Sequence, residues 1–179
     1  NVIVTAVPNT TNYLFAGWTG DLPVGQTNDL CITQAMTQAR TLVAHFIPRK
    51  YALSIVSGGR GAPNPPEGTY TRDYGTVLTN SVGGSPQADG TTTQYLFTAW
   101  TLAGNFSATN TFSDTATNLI LTLTNDATLA WNWKTQYQFN ASAVGSGTVV
   151  GSPNTWYDRD SNVIVTAVPN TTNYLFAGW

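Results

Sequence analysis

Apolar and polar residues alternate along most of the chain, and the alternation breaks wherever Gly, Pro, Asn and Asp cluster. A period of two puts successive side chains on opposite faces of a sheet, so the pattern reads as half-buried strands. Val, Ile, Thr, Tyr, Phe and Trp, which suit a pleated surface, fill these runs. The alternation predicts strands over residues 2–7, 13–18, 29–33, 41–46, 52–57, 77–81, 95–100, 118–124, 128–133, 138–143 and 147–150. Turn chemistry separates them, at Val7-Pro8-Asn9, 58–61, 83–86, Asn125-Asp126 and 145–147. Within 32–43, Gln34-Ala35-Met36 and Gln38-Ala39-Arg40 favour helix. The counterpart stretch 121–129 holds the turn Thr124-Asn125-Asp126, so 34–40 is expected to be a strand end and a hairpin.

The strands come in a repeating order. Residues 1–18 read NVIVTAVPNTTNYLFAGW, and residues 162–179 read the same, 161 positions later. A diverged copy lies between them. Tyr95-Leu96-Phe97-Thr98-Ala99-Trp100 echoes Tyr13-Leu14-Phe15-Ala16-Gly17-Trp18. Leu129-Ala130-Trp131-Asn132-Trp133 echoes Leu42-Val43-Ala44-His45-Phe46. Tyr70-Thr71-Arg72-Asp73 echoes Tyr157-Asp158-Arg159-Asp160, and Leu119-Ile120-Leu121-Thr122 echoes Leu30-Cys31-Ile32-Thr33. This divides the chain into the C-terminal part of a unit A (1–50), a complete unit B (51–136) and the N-terminal part of the next unit A (137–179). Such periodicity is the mark of a repeat architecture.

Short strands with turns at this spacing predict an all-β fold of tandem small antiparallel β-sandwich (Ig-like) repeat domains, with a β-grasp-like repeat as the alternative. The links fall near Pro48-Arg49-Lys50-Tyr51 and Lys134-Thr135-Gln136-Tyr137. Links so short leave little hinge freedom, which predicts a semi-rigid rod.

Charge narrows the functional classes. Charged residues make up 9% of the chain and the net charge is −2. Nucleic-acid binding needs a basic stripe, and none exists. No apolar run reaches the roughly 20 residues of a membrane span. The neutral Thr/Asn-rich surface points to an extracellular or cell-surface setting. It also removes one common guard against edge-to-edge strand pairing, so lateral self-association is expected.

Candidate chemistry is sparse. Glu67 is the only glutamate, in the turn Asn64-Pro65-Pro66-Glu67-Gly68, and reads as a solvated loop charge rather than one of the paired carboxylates of an acid–base site. His45 is the only histidine and aligns with Asn132, so it reads as an outward strand residue. Cys31 aligns with Ile120 and reads as a small apolar residue inside a sheet, with an interchain disulfide as the sharper alternative. The oxygen-rich run Asp158-Arg159-Asp160-Ser161-Asn162 has calcium-ligand chemistry but is not repeated in unit B, so a turn is expected. An isopeptide bond has no acid placed beside Lys50 or Lys134 in sequence. No catalytic residue, cofactor or metal is therefore assigned, and no enzyme is expected. Trp18, Trp100 and Trp179 recur in register and read as core anchors. Trp131, Trp133 and Trp156 remain candidates for stacking on a sugar or a neighbouring domain, and Trp156 with Tyr157 is the possible surface contact.

At these blocks the sequence resembles the divergent internalin-type B-repeat family. The resemblance rests on the Gly-rich opening of 137–150, the Ala-Val-Pro strand end at 167–169, the Tyr and Phe-x-Gly-Trp element of 174–179 and 13–18, and the Thr-Leu-Val-Ala-x-Phe strand at 41–46. Residues 51–136 depart from it: Ala99 replaces the motif glycine, Asn80-Ser81-Val82 replaces Ala-Val-Pro, and longer loops are expected at 83–93 and 101–117. The resemblance implies a tandem module of bacterial surface or secreted proteins, a spacer or adhesive region without catalysis. The reading is a non-enzymatic structural segment of an extracellular fibre, stalk or filament. Its partners would be neighbouring repeats and identical chains. The alternative is an adhesin module that binds glycan or a host surface.

Overall fold

The computed structural model describes residues 1–105 and 107–179, with only the backbone described for 107–111. Among the described residues every regular element is a strand. In residues 1–50 these are β1 (Val2–Thr5), β2 (Tyr13–Gly20), β3 (Cys31–Gln34) and β4 (Leu42–Pro48). Next come β5 (Lys50–Val56), β6 (Gly68–Asp73), β7 (Val77–Ser81), β8 (Gln87–Asp89), β9 (Thr93–Gly104), β10 (Ser107–Asp114), β11 (Asn118–Thr122) and β12 (Ala127–Phe139). The last three are β13 (Gly147–Val150), β14 (Thr155–Asp158) and β15 (Thr166–Pro169).

The largest sheet runs β10-β9-β12-β5-β6, with β14 added on β12 and β8 on β9. It packs against the two-stranded β7–β11 sheet to form a sandwich. Leu53, Ile55, Trp100, Leu102, Leu129 and Trp131 come from the first layer, and Leu121 and Val82 come from the second layer and its margin. Leu123 and Leu129 are fully buried, and burying each such side chain contributes about 1.5–3 kcal/mol. All pairings are antiparallel except β5 with β12, which run parallel from Ala127 opposite Leu53 to Ala130 opposite Val56. That pair sets the first and last strands of this sandwich side by side, the feature of the β-grasp-like alternative.

Residues 1–50 carry the same arrangement in part. β2 pairs with β4 and β1 with β3, around Ala6, Trp18 and Ile32. Phe15 faces Phe46 and Gly17 faces His45 across a bulge at Ala16. Phe97 faces Trp133 and Ala99 faces Asn132 across the same bulge at Thr98. Each pair ends at a glycine in the left-handed region, Gly20 (φ 108°) and Gly104 (φ 86°). A Cβ there would run into the carbonyl of Thr41 or Asp126. The next residue, Asp21 or Asn105, donates its amide to that same carbonyl. The 34–40 stretch forms no helix, as expected.

Four details differ from the sequence reading. The link at 134–137 is the interior of β12. Most of 101–117 is the β9–β10 hairpin rather than a loop; Phe106 within it lies outside the described residues. The 83–93 stretch carries β8, paired with β9. Residues 140–143 form no strand, because no described strand lies beside them.

Candidate functional site

The most heavily built surfaces lie where one block of strands meets the next. Only Arg49 separates β4 from β5. Its amide donates to the Asn12 carbonyl (2.7 Å), its Nε–H donates to the Thr11 carbonyl (3.1 Å), and its own carbonyl accepts from the Tyr74 amide (2.8 Å). Tyr74 stands edge-on between Tyr13 and Tyr51, at 6.0 and 6.4 Å between ring centroids. The Tyr51 hydroxyl donates to Asn12 Oδ1 (2.9 Å). Lys50 pairs with Asp73 at 2.6 Å. Aromatic edges of this kind add about 0.5–1.5 kcal/mol beyond area burial, whereas the exposed ion pair adds little.

The second joint has no break in the chain. β12 pairs with β9 as far as Tyr137 opposite Thr93, and with β14 from Gln136 opposite Asp158 to Phe139 opposite Thr155. The Lys134 ammonium donates to Asp158 Oδ2 (2.8 Å) and the Gln136 amide to Oδ1 (2.7 Å). Those hydrogen bonds, Lys134 first, hold the Asp158 carboxyl below the ordinary aspartate range. The Arg159 amide donates to the Thr135 carbonyl (2.9 Å), matching the bond from Tyr74 to Arg49.

This match corrects the internal alignment. Asp158 occupies the place of Asp73, two residues from the position the letters suggest. Thr76 and Ser161 each donate their amides back to the aspartate carbonyl three residues earlier, both at 3.1 Å. Gly75 (φ 82°) and Asp160 (φ 66°) take the same left-handed corner. The 158–162 run is thus a turn whose first carboxylate serves Lys134 and Gln136.

Trp156 and Tyr157 are neighbours on β14 and therefore point to opposite faces. Tyr157 stacks edge-on against Phe139 (6.3 Å) and donates its hydroxyl to the Ser152 carbonyl (2.6 Å). Trp156 lies opposite Gln138 on the other face, half-buried. The structure does not bring the two into one platform. Trp131 is core, and Trp133 is half-buried, packed on Phe97 with its Nε1–H donating to Ser57 Oγ (3.0 Å). Trp18 and Trp100 are buried anchors, but Trp179 is exposed.

Other predicted positions shift as well. Cys31 is exposed, because Ile32 and Gln34 take the inward side of β3. Glu67 is not a free loop charge: its carboxylate accepts from the amides of Ser57 and Gly59 and so ties the Gly58-Gly59 turn. His45 faces outward, as expected, beside Thr19 Oγ1 (2.7 Å). Among the described residues, no three His, Cys, Asp or Glu side chains gather as a metal site would require. No helix of the described residues is long and apolar enough to cross a membrane.

Sequence reasoning missed a small polar recess of about 250 Å³ lined by Arg60, Gln87, Asp89 and Tyr95. The Arg60 guanidinium sits 3.9 Å over the Tyr95 ring, and the Tyr95 hydroxyl donates to Asp89 Oδ2 (2.9 Å). No local signal marks it, since the β8–β9 hairpin assembles it from separate segments.

The fold and joints define a class, the small all-β module whose strands run on from one block into the next. The family model described as the divergent InlB B-repeat domain matches residues 1–50 and 137–179, just over half of the chain. The chain belongs to that family. Comparison with curated proteins and with solved structures gives no match.

Proposed function

We propose that the chain is a structural repeat segment of a bacterial extracellular fibre, stalk or filament, without enzymatic activity and able to self-associate. Family membership supports a bacterial surface repeat module. The observation that carries the finer reading is the continuity of β12, which leaves no linker at the second joint. The first joint, with Arg49 bonded to both sides, supports it too. A segment built this way transmits force along its strands and holds its blocks at a fixed angle. Small-angle scattering of the full chain tests this: one rigid particle of fixed dimensions is expected, and a distribution of blocks hinged at Arg49 or Lys134 would overturn it.

The adhesin reading is favoured by the recess beside Arg60 and by Trp156, half-buried on the face of β14 opposite Tyr157. Glycan binding lost in Trp156→Ala or Arg60→Ala would establish it in place of the purely structural role.

A further inference from the structure

The polar recess beside Arg60 is an addition to the repeated block. It lies wholly within residues 51–136, with described strands of the chain on both sides. Tyr51 and Tyr137 hold one place, as the matching bonds of Tyr74 and Arg159 show. Counting on from them sets Ser146 where Arg60 stands, between glycines in both copies. Ala6 and Val82 close corresponding strands, their amides donating to Leu30 and Thr117. Residues 7–12 then lead to Tyr13, whereas 83–94 lead to Tyr95 and carry β8 with Gln87 and Asp89. Residues 1–50 build the same bulged pair without such a hairpin, so the fold does not require it.

The recess is pre-formed. Gly58 and Gly59 are both left-handed (φ 65° and 75°), and a Cβ at Gly58 would press on Arg60 Nη1 (3.0 Å). The Glu67 carboxylate holds this turn, and Ser57 Oγ donates to the Arg60 carbonyl (2.6 Å). Gln87 Oε1 accepts from the Gly61 amide (2.7 Å). The polar groups are underused all the same. The guanidinium commits one N–H, from Nη1 to the Gly58 carbonyl (3.2 Å), and its buried Nε–H has no acceptor among the described residues. Among those residues neither Arg60 nor Asp89 forms an ion pair. Tyr95 holds them apart instead, Arg60 on its ring face and Asp89 on its hydroxyl.

We propose that this recess binds one ring of a neutral saccharide, whose hydroxyls accept from Arg60 and donate to Asp89. This rests on the adhesin reading and names its site and ligand class. A guanidinium and a carboxylate that face one space without meeting oppose each other's field. A phosphate or a metal ion is drawn by one and repelled by the other. A hydroxyl both donates and accepts, so adjacent ring hydroxyls satisfy both groups at once. At about 250 Å³ the recess is smaller than the roughly 300–1,000 Å³ of pockets for larger ligands, which suits a single ring. Because Arg60 covers the Tyr95 face, contact is by hydrogen bonds, and a Kd on the order of 1 mM is expected.

Titration of the full chain with glucose, galactose, mannose and N-acetylglucosamine, followed by amide chemical shifts, tests the site. At least one sugar should shift the amides of Gly58, Gly59 and Tyr95. Binding should weaken at least tenfold in Asp89→Asn and in Arg60→Gln and stay unchanged in Trp156→Ala. Asp89→Asn conserves shape, and the amide spectrum of each variant without sugar verifies its fold. Shifts that survive both recess variants overturn this site and leave the adhesin reading standing. Equal shifts with inorganic phosphate overturn the neutral ligand class. No shift with any sugar overturns the site, and a glycan array on which the chain also binds nothing overturns the adhesin reading with it.

Discussion

Trp18 and Trp179 close identical 18-residue stretches, yet Trp18 is 6% exposed and Trp179 is 74% exposed. Local sequence cannot account for the difference. Trp18 lies on β2, opposite Ala44 of β4, and its Nε1–H donates to the Asp29 carbonyl (2.8 Å). Among the described residues no strand pairs with 174–179, which form no strand themselves. Trp18→Ala is therefore expected to destabilise by about 3–5 kcal/mol, and Trp179→Ala by less than about 0.5 kcal/mol. Urea denaturation of the full chain measures both.

Asn105 is fully buried and left-handed (φ 66°). Its Nδ2 donates to the Thr122 carbonyl (3.0 Å) and its Oδ1 accepts from the Thr124 amide (2.8 Å). Asn105→Ala leaves both backbone groups unpaired and should cost about 2–4 kcal/mol. Asn105→Asp keeps the acceptor but loses the donor, and should also destabilise. A thermal melt unmoved by either change would contradict the assignment.

The Lys134–Asp158 contact sets a pH dependence. A carboxylate whose folded pKa is depressed stabilises the fold above its unfolded pKa and loses that contribution as pH falls through the folded value. The stability advantage over Asp158→Asn should be constant near neutrality. It should shrink only below the ordinary aspartate value of about 4. The Lys134 and Asp158 side chains are 40% and 47% exposed, so the advantage is small and falls with salt. An advantage that grew on acidification would reverse the sign.

Trp156 and Tyr157 separate by face. Tyr157→Ala removes the contact with Phe139 and the bond to Ser152, and should lower stability by about 1–3 kcal/mol. Trp156→Ala should change stability less. Equal losses in chemical denaturation would place both on one buried surface.

Strands that alternate cleanly were legible because alternation is a local property, and 77–81 and 147–150 match their predicted bounds, whereas β6, β14 and β15 were not predicted. The bulged pair Tyr13–Trp18 and Tyr95–Trp100 was legible for the same reason, since its aromatic letters repeat. What depends on register was not. Asp73 and Asp158 share one place, but flanking letters align Asp160 there instead. Cys31 was assigned inward because it aligns with the apolar Ile120, yet Ile120 is itself exposed, and the alternation of β3 turns Cys31 outward as well. Residues 140–143 alternate as a strand should, but a strand needs a partner edge, and no described strand lies beside them.

Rigidity at the two joints is the central claim, and backbone amide relaxation measures it residue by residue. Order parameters of about 0.85 should continue without a dip through Arg49 and from Lys134 to Phe139, as in rigid backbone. Values below about 0.6 at either joint would mark a hinge and contradict a load-transmitting segment.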